Sequence, residues 1–378
     1  MISLYREQFC LLELIKASLF GITPEIPNNV NWNEVIKLAK VQCILPLILS
    51  FLPEDKKSEL FSISCQSKAH YMQMLYEQDS LVRLLNSSSI PFVIFKGTAA
   101  AIYYPIPSMR TFGDIDFYVS EEYFDSAKNV LEHNGYLYIE HNYRHYEYEK
   151  NGIVFELHSK ISSDRYNDIE HIVINGFLNT TEYKLGNSSF PGFQTYENGI
   201  ILLGHIMQHL KGSGIGFRQI LDWMMFVHRE LNDSAWFEHF QPLVAEAGLE
   251  KLAVTVTLMC KKWLGLPDEI MWFKTADENV ADQLLIRILD DGNFGNDRSS
   301  SEGIKKSLKK EGAFKYFQRV GANNWPLARK YVIFRPFAWL YQICRFIFKG
   351  IAGLFSGKKI FMKNKKNMSL EEIWQSLE

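Results

Sequence analysis

Apolar positions recur every three or four residues through the first 88, as in Phe9, Leu12, Ile15 and Leu19. That spacing predicts helices with one buried stripe. The segment "DKKSELFSISCQSKAHYMQMLYEQDSLVRLL" keeps the same period and predicts one long amphipathic helix, broken by "NSSS". From Ile90 to about Ile161 the texture changes to short apolar runs and alternation. "PFVIFKG" and "DIDFYVS" predict strands, and "TAAAIYY" a short helix that Thr98 would cap. "EYFDSAKNVLEHNGY" predicts a longer helix closed by Asn134-Gly135. "LYIEHN", "HYEYEK" and "IVFELHSK" predict three more strands, the last two joined by a Lys150-Asn151-Gly152 turn. Helical spacing returns from about 195 to 300 in "YENGIILLGHIMQHLKG", "FRQILDWMMFVHREL", "SAWFEHFQPLVAEAG" and "EKLAVTVTLMCKKWLG". The expected class is α+β: a small mixed β-sheet core flanked by N-terminal and C-terminal helical regions. The expected divisions are a helical region 1–88, the core 89–190, a second helical region 191–300 and a tail 301–378.

Composition adds limits rather than identity. With 378 residues, 47% hydrophobic and 22% charged, the chain can bury two or three cores. Its five cysteines are scattered and no CxxC occurs, so neither a zinc knuckle nor a disulfide framework is expected. The N-terminal apolar run carries charges and lacks a small-residue cleavage site, so no signal peptide is read and a reducing cytoplasm is the expected location. The net charge of −2 conceals an asymmetry: Lys305 to Lys366 holds sixteen Lys and Arg against one acid, Glu311, leaving 25 basic and 42 acidic residues elsewhere. Within this tail, Arg335, Gln342, Arg345 and Lys349 form a narrow helical stripe beside a wide apolar face. Three cations argue against a membrane span. Peripheral contact with a membrane, a partner's groove and packing on the chain itself stay open.

Chemistry concentrates in "FKGTAAAIYYPIPSMRTFGDIDFYVS". Alternation puts Asp114 and Asp116 on one strand face and Ile115, Phe117 and Val119 on the other. The same logic puts Glu156 and His158 together in "GIVFELHS". If the two strands are neighbours, three carboxylates converge and repel unless a divalent cation neutralises them. Hard oxygen ligands suit magnesium, which also binds substrate phosphates. Lys96 and Arg110 could then offset polyphosphate charge, the arginine by a bidentate contact. The plainer alternative is a set of solvated strand-edge acids and surface cations.

These residues resemble the uncharacterised branch of the polymerase-β-type nucleotidyltransferase superfamily, whose members read roughly "LKG…R..GDIDLLV…VELH". The resemblance implies a nucleotidyltransferase core that moves an NMP group from an NTP to an acceptor hydroxyl and releases pyrophosphate. It implies two Mg2+ ions, with Mn2+ as the alternative, held by Asp114, Asp116 and Glu156 as catalytic and metal-binding residues. It assigns the nucleotide to the turn at Lys96, Gly97 and Thr98 and to Arg110 and Gly113. The stretch with His205, His209, Arg218 and Asp222 resembles the helical region trailing the core, and with His158 it marks a candidate acceptor side. Two departures stand out: Lys96-Gly97-Thr98 replaces the usual Gly-Ser, and Asp114 lies seventeen residues beyond Gly97 rather than about ten.

Other motifs are weaker. "HIMQH", His205 to His209, lacks the glutamate of a metalloprotease helix, and "GSGIG" lies between helices rather than after a strand. P-loop and protein-kinase signatures are missing. The acceptor is left unnamed: sugar, antibiotic, peptide, lipid precursor and protein all fit. An RNA end is less favoured, because the tail aromatics follow an amphipathic pattern rather than stacking platforms. A non-catalytic scaffold or membrane-peripheral adaptor that keeps the fold is the rival outside enzymology, and three intact carboxylates argue against it.

Overall fold

The computed structural model describes residues 4–141, 144–161, 167–177, 179–211, 214–267, 269–292, 335–337, 339, 368 and 370–377. The chain forms two compact units, Met1–Phe294 with Met368–Glu378, and Gly295–Asn367. In the second unit, residues 335–337 and Trp339 are helical; of the basic tail stripe only Arg335 is among the described residues, and Gln342, Arg345 and Lys349 lie outside them. Every element named below belongs to the first unit.

The N-terminal region forms α1 (Arg6–Phe20), α2 (Trp32–Val41), α3 (Leu45–Ile48) and the long α4 (Glu54–Ser87). The Asn31 side chain starts α2 by accepting from the Asn33 and Glu34 amides, two donors the helix cannot satisfy itself. The C-terminal half of α4 buries Met74, Leu81, Val82 and Leu85.

The central sheet contains β1 (Val93–Phe95), β2 (Asp114–Tyr118), β3 (Leu137–His141), β4 (His145–Lys150) and β5 (Ile153–His158), in the order β1-β2-β5-β4-β3. Only β2 and β5 pair in parallel; the other neighbours are antiparallel. Two short helices, α5 (Gly97–Ala101) and α6 (Glu121–His133), connect the strands. The β4–β5 turn uses Asn151 at φ 53° and Gly152 at φ 77°, the left-handed pair a two-residue hairpin requires. Helix α4 pins that turn: Gln73 Nε2 donates to the Asn151 carbonyl at 2.6 Å, and Asn151 Nδ2 donates to Glu77 at 2.8 Å. Thr98 does not cap α5. The cap position is Lys96, at φ 55° and ψ −127°, without a side-chain capping bond. A β-hairpin that the hydrophobic pattern did not suggest, β6 (Thr181–Leu185) and β7 (Ser188–Gly192), lies against β1.

The sheet separates two cores. Ile94, Ile115, Phe117, Tyr148, Phe155 and Leu157 pack with α4 and α6 on one face. On the other, Val93, Phe95 and Tyr118 join a larger core. That core contains α8 (Thr195–Lys211), α9 (Phe217–Glu230), α12 (Glu250–Trp263) and α13 (Glu278–Asp291), with α7 (Asn167–Phe177), α10 (Asp233–Ala235) and α11 (Gln241–Glu246) between and around them. A last helix, α14 (Leu370–Leu377), buries Ile373 and Leu377 in it. Among the described residues no helix is long and apolar enough to cross a membrane.

Candidate active site

Strand register assembles the site. Asp116 on β2 lies opposite Glu156 on β5, which lies opposite Glu147 on β4. Two residues further on, on the same face, Tyr118, His158 and His145 are aligned in the same way. Partners across a sheet share a face, so Asp114, Asp116, Glu156, His158 and His145 all project towards the larger core. The β1–α5 turn comes down on this row: Phe95 pairs with Asp116, and Lys96 Nζ donates to Asp116 Oδ1 at 2.6 Å. A Cβ in place of the Gly97 hydrogen would stand 3.4 Å from the Asp114 carbonyl, ordinary contact distance, so the turn lies directly against β2. The positive φ of Lys96 is strain kept where the backbone must turn sharply beside the carboxylates.

Charge here is balanced over a few ångströms. His158 Nε2 lies 3.0 Å from both Asp116 Oδ1 and Glu156 Oε2. Burial disfavours the His158 cation, yet its hydrogen bonds to Asp116 and then Glu156 hold its pKa above the ordinary value. Lys96 behaves alike: burial works against its charge, and Asp116 and Glu156 overcome that. Burial works against the Asp116 carboxylate too, but Lys96 and the His158 hydrogen bond hold its pKa well below the usual range. Asp114 takes the opposite course. Burial, with Asp116 and Glu156 adding to it, pushes Asp114 up to about 7 against the pull of Lys96 and Arg218. Burial first, and two neighbouring carboxylates second, set Asp114 apart from Asp116, and perturbed carboxyls of this kind cluster at functional sites.

Several residues expected on the nucleotide lie elsewhere or do other work. The Arg110 guanidinium does not face the carboxylate row with a free fork. Nε and Nη2 donate to Asp222 Oδ1 and Oδ2, both at 2.8 Å, and Tyr104 donates to the same carboxylate at 2.9 Å. This buried bidentate pair engages the Arg110 fork and both Asp222 oxygens within the protein. Thr98 is buried as well, its hydroxyl donating to Gln78 on α4. Arg218 is the arginine beside the site: its Nη1 lies 3.8 Å from where a Cβ on Gly113 would stand. His205 and His209 pair through their Nε2 atoms at 2.9 Å, and burial, the leading cause for each, holds His205 well below the ordinary value and His209 at about 4. His205 lines a small cavity with Lys96, Gln208 and three isoleucines.

Among the described residues, the group close enough to hold a metal ion is His145, Glu156 and His158, each offering an atom within 4.8 Å of the others; Asp114 and Asp116 flank it on β2 without belonging to it. His145 was not singled out from the sequence, although a signal existed. Counting back from the two-residue Asn151-Gly152 turn pairs Lys150 with Ile153 and, five steps on, His145 with His158.

Comparison with curated proteins returns no match. A family model described as an uncharacterised nucleotidyltransferase matches residues 28–265, well over half of the chain and including the sheet, the carboxylate row and the helices packed on it. The mixed sheet with flanking helices is consistent with the nucleotidyltransferase fold, and divalent metals are general to that chemistry. The chain belongs to this uncharacterised nucleotidyltransferase family.

Proposed function

We propose that the protein moves an NMP group from an NTP to an acceptor hydroxyl. The hydroxyl oxygen forms a bond to the α-phosphorus, the α–β phosphoanhydride bond breaks, and pyrophosphate leaves. The observation that carries this reading is the pairing of Asp116 with Glu156 across parallel strands, with Asp114 two residues away and a tight Lys96-Gly97 turn above them. In this reading residues 89–190 are the catalytic core, 1–88 and 191–300 the helical flanks and 301–378 the basic tail.

Asp114, Asp116 and Glu156 would hold the divalent cations, magnesium in the first instance. Such ions lower the pKa of a bound hydroxyl and offset the charge on attacking and leaving oxygens. The chain's own groups do the rest. Lys96 and Arg218 supply fixed positive charge for the triphosphate, and Lys96 also holds Asp116 ionised. Glu156 is more exposed than Asp116, His158 and His145, with 17% of its side chain accessible, so it is the group best placed to take the hydroxyl proton. His158 orients both acids. Much of the rate gain would come from positioning and charge neutralisation, with no covalent enzyme intermediate.

Incubation with α-32P-labelled NTPs, magnesium and a pool of cell-derived small molecules tests the reading. We expect label in a product that is not a nucleotide, stoichiometric pyrophosphate, and neither with Asp116→Asn. Failure to bind any NTP in the presence of magnesium or manganese would sink it.

A further inference from the structure

Two imidazoles beside the carboxylate row are arranged alike. In His158, Nδ1 lies 3.2 Å from the Lys160 carbonyl oxygen. A carbonyl can only accept, so Nδ1 carries a hydrogen and Nε2 is the atom turned to Asp116 and Glu156, 3.0 Å from each. In His145, Nε2 lies 3.2 Å from Glu147 Oε1, a carboxylate that also accepts, and Nδ1 lies 3.6 Å from Glu156 Oε2. In each ring the far nitrogen is anchored by an acceptor, and the near nitrogen points at the same glutamate oxygen. This is how proteins set metal-binding histidines: an outer carbonyl or carboxylate fixes the ring, and the ion takes the place of the hydrogen that the inner nitrogen otherwise shares with the acids.

The spacing agrees. Adjacent ligands on one octahedral ion with bonds near 2.1 Å lie about 3 Å apart. Asp116 Oδ1 to His158 Nε2 and His158 Nε2 to Glu156 Oε2 are both 3.0 Å. His145, Glu156 and His158 together keep within 4.8 Å. The row is therefore asymmetric. Its Asp114 end offers oxygen alone, whereas its Glu156 end offers oxygen with two nitrogens.

We propose that His158 and His145 are direct ligands, with Glu156 and Asp116, in a mixed imidazole–carboxylate position that takes a divalent transition-metal ion in preference to Mg2+. Imidazole suits iron, nickel, copper and zinc best; Mn2+ favours oxygen but accepts imidazole beside it, whereas Mg2+ keeps to oxygen and to its own water. This rests on the reading of the carboxylate row as a cation site. It departs from that reading in making one position nitrogen-bearing.

Manganese is the probe, added to full-length protein stripped by chelation. Loss of the free Mn2+ EPR signal measures binding, and pulsed EPR reads nitrogen coordination directly. We expect 14N modulation that changes to the 15N pattern in uniformly labelled protein, and binding that survives about tenfold excess Mg2+. His145→Gln and His158→Gln, each checked for folding by circular dichroism, should weaken Mn2+ by about tenfold or more and reduce the nitrogen signal. Bound Mn2+ with only oxygen around it, or displacement by equimolar Mg2+, overturns the proposal and leaves nucleotidyl transfer standing. Nitrogen modulation that persists in both folded variants places the ion elsewhere and also overturns it. Failure to bind either cation, with or without NTP, overturns this proposal and the functional reading together.

Discussion

Arg110 and Asp222, 112 residues apart in the chain, close a two-bonded ion pair in the interior, with N–O distances of 2.8 Å on both arms. Arg110 sits just ahead of β2 and Asp222 is central in α9, so the pair ties the loop that delivers the aspartates to the helices packed over them. Tyr104, also bound to Asp222, adds a third strut.

Breaking this pair should cost stability rather than nucleotide affinity. Asp222→Ala leaves a buried guanidinium uncompensated, an expected loss of about 3–5 kcal/mol. Arg110→Lys keeps the charge but loses the fork, so it should also destabilise, though less. Urea denaturation measures both. NTP affinity of folded Arg110→Lys protein, measured at low temperature, should stay within about threefold of wild type, because a guanidinium whose bonds go to Asp222 and the Thr111 carbonyl contributes little direct contact energy to the nucleotide. A drop well beyond that would return Arg110 to the phosphates.

Gly199 in α8 is held by close approach. A Cβ there would stand 2.4 Å from Phe226 and 2.8 Å from Phe240, both aromatic rings of the core. In an open helix Gly→Ala gains up to about 1 kcal/mol. Here overpacking should reverse the sign, and Gly199→Ala should lose about 1–3 kcal/mol in the same denaturation assay.

Legibility in the sequence followed the range of the interaction. Period-2 alternation was enough to put Asp114 with Asp116 and Glu156 with His158, because strand geometry is local. The Asn151-Gly152 turn carried the β4–β5 register, and with it the place of His145. The β6–β7 hairpin had a signal too: Gly186-Asn187 separates its strands, but the flanking residues alternate weakly. The parallel pairing of β2 with β5 has no turn to fix it, so bringing Asp116 to Glu156 depended on the family resemblance. Arg110 was read as a phosphate ligand because nothing local to it shows that Asp222, more than a hundred residues on, holds its fork.

Lys96 offers a test of charge balance that does not need the acceptor. Its ammonium is one of two groups hydrogen-bonded to the buried Asp116 oxygen, the other being the His158 imidazole. Lys96→Ala should destabilise the cation-free protein by about 1–3 kcal/mol, since a buried acceptor loses a charged donor. Added divalent cation should then raise the melting temperature more in the variant than in wild type, because it meets less competing positive charge. Equal shifts in the two proteins would separate Lys96 from the cation position.

Asp116→Asn and Glu156→Gln distinguish a reaction centre from a structural cluster. Each replaces an anionic oxygen donor by a neutral amide of nearly the same shape, so the packing of β2 on β5 is kept while affinity for a hard cation falls. Asp116 carries the larger share of the local charge, with bonds to both Lys96 and His158, so its variant should also lose some stability. Glu156 is partly accessible and should lose little. Cation-dependent NTP binding should therefore weaken in both, and pyrophosphate release should drop by about 100-fold or more, the scale of losing one preorganised charge contact in a transition state. Measuring pyrophosphate against melting temperature for the two variants separates the effects: a centre for phosphoryl chemistry loses turnover equally in both, whatever their difference in stability. Turnover that tracks stability instead would mean the carboxylates act by holding the sheet together.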